Sequence, residues 1–146
     1  SIEEDRDHDL WLGTGTGLLA IGAAKLWKRT VLASDIDPVA IEVTRDNARA
    51  NRVAPLVAAF TADGLTHPIL ANAAPYDLLI ANILAGPLTQ LAPAIQKALA
   101  PGATLLLSGL LYNQEKLVTS FYGDLRYVGA RRSGPWSALV LEKPGR

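Results

Sequence analysis

Apolar and polar positions alternate along the chain in two different rhythms, short apolar runs and helical spacings, and they do so repeatedly. Residues 10–12 ("LWL") read as a first strand, followed by a helix from about Leu18 in which Leu19, Ala23 and Leu26 share one face. "TVLASD" is a second strand. Asp37 then suits an N-cap and Pro38 the first helical position, where its missing N–H costs nothing, and this helix should run to about Asn51. "PLVAAF" reads as a third strand and "YDLLIAN" as a fourth, bare of polar residues between Asp77 and Asn82 as a strand covered on both faces would be. Leu88, Leu91, Ala92, Ile95 and Leu99 mark one face of a helix that Pro101 and Gly102 should stop. "TLLLSGLL" is a fifth strand, and Leu117 with Phe121 marks a short helix. "DLRYVG" and "WSALVLE" have no helix between them and should pair antiparallel around "ARRSGP". The sum is an α/β chain: a doubly wound, Rossmann-like seven-stranded sheet, mostly parallel, with a C-terminal antiparallel hairpin.

Composition narrows this picture. With 146 residues the chain fits one domain, and 14 basic against 14 acidic side chains leave no net field to attract nucleic acid or anionic lipid. Cysteine is absent and only His8 and His67 are histidines, so thiolate metal sites, cysteine nucleophiles and a histidine cage are excluded, and no metal is expected. No apolar run reaches the roughly 18 residues of a membrane span. The expectation is a cytoplasmic protein that binds neither nucleic acid directly nor membrane.

In doubly wound sheets a ligand binds beyond the carboxyl ends of the strands, near the switch point beside the first strand. There the sequence reads "HDLWLGTGTGLLA", with glycines at 13, 15 and 17. Glycines at alternate positions let backbone approach a ligand closely, although such turns also serve merely to pack a strand on a helix. Asp35 tips the balance: a carboxylate at the end of the second strand can accept hydrogen bonds from both hydroxyls of a ribose. The dinucleotide pattern G-x-G-x-x-G fails, because Leu18 stands where its third glycine would be.

The G-x-G-x-G loop resembles that of class I S-adenosylmethionine-dependent methyltransferases, which also end in an antiparallel hairpin. More specifically, "LGTGTGLLAIGAAKL", "ASDIDPVAIEVTRDNARAN", "YDLLIANILAGPLTQLAPAI" and "LLLSGLL" resemble the catalytic domain of the ribosomal protein L-eleven methyltransferase family, with "ANILAGPL" the most specific segment. The resemblance runs from about His8 to Leu141. It implies transfer of methyl groups from S-adenosylmethionine, with S-adenosylhomocysteine as product, to lysine and N-terminal amines of a large-subunit ribosomal protein. It further implies that Gly13 and Gly15 line the methionine tail, that Asp35 holds the ribose, and that Asn82 sits near the sulfonium and the incoming amine, as both cofactor-binding and catalytic residue. From position alone Asn82 could equally cap the end of the fourth strand. Asp63 could meet the adenine amino group, or form an ordinary Asp-Gly turn in "TADGL". His67 is expected on a surface loop, Arg131 and Arg132 in a solvated hairpin, and Trp136, which resembles the tryptophan opening the family's last strand, in the core.

Two departures from the family pattern stand out. The position two before the first glycine is normally acidic and anchors the ammonium end of the cofactor; here it is Trp11, whose indole has one donor, no acceptor and no charge. A cation–π contact would compensate in part, and weakened cofactor binding is the expectation. The family also carries an N-terminal recognition domain for the ribosomal protein and a "GTGxHxTT"-like segment whose threonine touches the cofactor. Neither pattern is in "SIEEDRDHD", so residues 1–146 are read as a single methyltransferase domain, a fragment without the upstream substrate domain and impaired in turnover. A non-catalytic nucleoside-binding module of the same fold is the alternative. A nicotinamide-dependent oxidoreductase is disfavoured by the glycine spacing and by the lack of a proton-relay residue.

Overall fold

A computed structural model describes the backbone of Asp9–Leu12, the helical residues Ile21, Gly22, Ala24 and Lys25, and residues 31–145. The chain divides into two compact units, Ser1–Ala73 and Ala74–Arg146.

In the first unit β1 (Asp9–Leu12), β2 (Val31–Asp35) and β3 (Val57–Thr61) pair in parallel, with β2 in the middle. Val31, Leu32, Ala33 and Ser34 are all buried, as a strand covered on both faces requires. Helix α1 (Pro38–Ala50) starts as the sequence demands. The Asp37 carboxylate accepts the Val39 N–H at 2.9 Å, and Pro38 occupies the first turn. Its buried face is Ile41, Thr44 and Ala48, at spacings of three and four. Asn51 caps the C-terminus, and the N–H groups of Arg52 and Val53 turn back to the carbonyls of Arg49 and Ala48, with Arg52 in the left-handed region at φ 61°. The third strand begins at Val57 and not at Pro55. The residues before it form a 3-10 turn, Ala54–Leu56, and Pro55 has no N–H to give a ladder. A short helix α2 (Pro68–Ala73) follows.

In the second unit β4 (Tyr76–Asn82) lies parallel to β5 (Leu99–Leu111), which pairs antiparallel with β7 (Trp136–Glu142), and β7 with β6 (Arg126–Ser133). Helix α3 (Ala85–Ala98) buries Ala85, Leu88, Ala92, Ile95 and Ala98. Leu88 and Ile95 are fully enclosed, and truncating either to alanine is the kind of change that costs about 2–5 kcal/mol. The helix ends at Ala98, before Pro101. Ala100 precedes a proline and is biased to extended backbone, so the chain enters β5 at once, and Pro101 with Gly102 (φ 82°) sits inside an irregular stretch of that strand instead of stopping the helix. Lys143 Nζ donates to the carbonyls of Gln96 (3.0 Å) and Leu99 (2.7 Å), satisfying the carbonyl end of α3 with a cation.

Helix α4 (Glu115–Ser120) forms where expected but presents a different face. Glu115 and Val118 are buried, while Leu117 and Phe121 are exposed. Tyr122, fully buried, donates its hydroxyl to the Leu88 carbonyl at 2.7 Å, and burial pushes its pKa up. Trp136 is also not in the core: it is 51% exposed. Ser137, Leu139 and Leu141 take the buried face of β7, so strand parity turns Trp136 to the other side at the strand's open end. No helix among the described residues is long and apolar enough to cross a membrane.

Candidate functional site

Asp35 ends β2 half-buried, and its Oδ1 accepts the Asp37 N–H at 3.0 Å. Asp37 in turn caps α1, so the strand-to-helix turn "DIDP" fixes both carboxylates by backbone donors. A carboxylate offers two acceptor oxygens and no donor. The Asp35 carbonyl accepts the Ala62 N–H at 3.0 Å, tying β2 to the segment that follows β3.

Asp63 lies beyond the carboxyl end of β3, the neighbour of β2. Its carbonyl accepts both the N–H (3.3 Å) and the hydroxyl (2.9 Å) of Thr66, and Gly64 takes φ 61° between them. The Asp-Gly turn is therefore formed, with the exposed Asp63 at its head. His67 is more than a loop residue. It is half-buried, its ring stands 4.7 Å from that of Phe60, and its Nδ1 accepts the Ile69 N–H at 3.2 Å, capping α2 ahead of Pro68.

In the second unit Asn82 closes β4, exposed, and is paired in register with Ser108 of β5. The Ser108 hydroxyl donates to Asn82 Oδ1 at 3.1 Å. Next to it Gly109 adopts φ 85°, and a Cβ there would lie 3.0 Å from Asn82 Oδ1 and 3.0 Å from the Ile83 carbonyl oxygen. Opposite β7 the register slips at this point: between the pairs Leu107–Leu139 and Leu110–Ser137, Ser108 and Gly109 of β5 face Ala138 of β7. Ser108 and Gly109 are thus the bulge that brings β5 onto Asn82. The signal for them in the sequence is a Ser-Gly pair interrupting an apolar run.

Arg132 is not merely solvated. Its Nε and Nη2 donate to the two carboxylate oxygens of Glu115 at 2.8 and 2.9 Å, and Ser137 Oγ donates to Glu115 Oε2 at 2.6 Å. The hydrogen bonds from Arg132 and Ser137, outweighing desolvation, lower the Glu115 pKa to about 2. This cluster holds the hairpin to α4. Gly13, Gly15 and the Trp11 side chain lie outside the described residues; the backbone of Trp11 pairs with Ala33 in β1 and β2.

The family model described as "Ribosomal protein L11 methyltransferase (PrmA)" matches residues 2–144. A protein of that name from Bradyrhizobium diazoefficiens is 48% identical over 136 residues, 92% of this chain and 46% of the relative. One from Brucella suis is 48% identical over 142 residues, 95% of this chain and 50% of the relative. The chain therefore spans about half the length of the curated relatives it matches. Among solved structures, a ribosomal protein L11 methylase from Lactobacillus delbrueckii subsp. bulgaricus superposes with TM-score 0.85 at 28% identity, over 94% of this chain and 70% of that one. An RNA methyltransferase from Salinibacter ruber, solved with S-adenosyl-L-homocysteine, shares the fold with TM-score 0.75 at 20% identity, over 97% of this chain and 84% of that one. The fold is the α/β fold of class I methyltransferases, and the chain belongs to the ribosomal protein L11 methyltransferase family.

Proposed function

We propose that this chain is the cofactor-binding and catalytic part of an S-adenosylmethionine-dependent protein N-methyltransferase acting on lysine and N-terminal amines of ribosomal protein L11. The observation that carries this reading is the 48% identity to proteins of that name along nearly the whole chain. The single seven-stranded sheet expected from the sequence belongs to the same reading, supported by the likeness to a solved L11 methylase over 94% of the chain. Bound S-adenosylmethionine supplies an electrophilic methyl group on a sulfonium. In this reading Gly13 and Gly15 admit the methionine tail, and Asp35 accepts the ribose hydroxyls with a carboxylate already held by the Asp37 N–H. Asn82 orients the amine. The nucleophile must be neutral and in line with the departing sulfur, and an amide oxygen accepts one of its N–H groups without titrating, so that positioning supplies most of the acceleration. Asn82 would hold the amine in line with that methyl group, and the proton the amine sheds on methylation would pass to solvent.

Trp11 favours a second reading, a nucleoside-binding module of the same fold with weakened cofactor binding, because the charged partner for the ammonium group is replaced by an indole. Two measurements on this chain separate the readings: isothermal titration with S-adenosylhomocysteine, and transfer of radiolabelled methyl groups to purified L11. Binding and transfer together support the enzyme. Weak binding without transfer supports the module, and no binding of the nucleoside at all sinks both.

A further inference from the structure

The bulge in β5 interrupts the ladder to β7 and sets Ser108 and Gly109 against the side chain that ends β4. An asparagine side chain at an exposed strand end turns about both of its side-chain bonds unless a neighbour holds it. Here the Ser108 hydroxyl, 3.1 Å from Oδ1, holds that side chain in one place. The close approach is possible only without a side chain at 109, where φ is 85° and a Cβ would crowd Oδ1 at 3.0 Å.

We propose that Ser108, seated by the Gly109 bulge, is a positioning residue that holds the side-chain amide of Asn82 in place. Resting on the assignment of Asn82 to the amine, this makes Ser108 a determinant of turnover that touches neither cofactor nor substrate. Oδ1 has two lone pairs: the hydroxyl takes one and fixes the plane, and the second is left for an amine N–H. Without the hydroxyl the Asn82 side chain samples other rotamers, and the acceptor leaves the place where the amine needs it.

The test uses Ser108→Ala and Ser108→Thr, which keeps the hydroxyl, each alone and with Asn82→Ala. Two readouts are taken: the order of the Asn82 side-chain NH2 group by nitrogen-15 relaxation, and methyl transfer to L11 alongside the dissociation constant of S-adenosylhomocysteine. Ser108→Ala is expected to mobilise the Asn82 amide and lower kcat about tenfold, the scale of a misplaced reacting group, with cofactor affinity within about twofold. Ser108→Thr should restore both, and Ser108→Ala should cost nothing further once Asn82 is alanine. An Asn82 amide that stays ordered in Ser108→Ala overturns the proposal, as does a loss of turnover that persists undiminished in the Asn82→Ala background. If Asn82→Ala leaves turnover intact, it is the assignment of Asn82 that fails, and the relaxation data still decide whether Ser108 positions it. If Ser108→Ala does not fold, Gly109→Ala, which presses a methyl onto Oδ1, is read by the same relaxation measurement, and an unchanged amide there refutes the device.

Discussion

Asp35 holds a ribose in the proposed reading with a carboxylate that one backbone N–H already orients, so little ordering remains to be done when a ligand arrives. Asp35→Ala should weaken S-adenosylhomocysteine binding by about 1.5–3 kcal/mol, the range for hydrogen bonds to a charged acceptor, while the melting temperature changes little. Equal affinities for the two proteins by isothermal titration would remove the ribose role. Trp11 poses the opposite question. Trp11→Asp should tighten the same ligand about tenfold, since a carboxylate gives the ammonium group a charge-assisted partner. A lower melting temperature with no gain in affinity would show that the indole packs in the core and that the change buried an unpaired charge.

Two elements carry their own tests. Helix α1 ends through Arg52 in the left-handed region at φ 61°, a conformation that costs an L side chain about 1–2 kcal/mol and glycine nothing. Arg52→Gly should stabilise the protein by about 0.5–1 kcal/mol, the relief being offset in part by the greater freedom of glycine in the unfolded chain; denaturant melts that show a loss instead would mean the arginine side chain does more than its backbone costs. The β6–β7 hairpin is held to α4 through Glu115, whose carboxyl stays ionised down to about pH 2 in the folded protein against an ordinary value of 4.5. A depressed folded pKa contributes stability that is full above the unfolded value and is lost as pH falls toward the folded one. Lowering the pH from about 5 to 2 should therefore cost the parent protein more melting temperature than it costs Glu115→Gln, with parallel curves above pH 5. Curves parallel throughout would mean that the Arg132 and Ser137 bonds do not persist in solution.

At the scale of the whole molecule, cofactor binding and stability are one equilibrium. S-adenosylhomocysteine at about 100 times its dissociation constant should raise the unfolding free energy by roughly 2.7 kcal/mol, provided it binds only the folded chain. Asp35→Ala, weakened as above, should lose about half or more of that gain at the same ligand concentration. A melting temperature indifferent to saturating ligand would contradict a folded nucleoside site.

Sequence by itself determined the features whose cause is local. Asp37 and Pro38 start α1 because a short acceptor and a ring-fixed φ act on their own backbone, and "YDLLIAN" and "WSALVLE" are strands to the residue because their apolar content leaves no other use for them. The family, too, was legible, in "GTGTG", "SDIDP" and "ANILAGPL". Only tertiary structure decided what depends on partners distant in the chain. Trp136 is exposed because Glu115 and the apolar residues of β7 claim the other face of its strand, and parity leaves it no choice. His67 acquires a tilted ring partner in Phe60, and Arg132 a buried carboxylate 17 residues away. The helix face marked by Leu117 and Phe121 loses to Val118 because spacing gives a face but not its direction. Ser108 and Gly109 gain their meaning from Asn82, 26 residues earlier, since a bulge acts on the neighbouring strand, and which strand that is lies in the folded sheet alone.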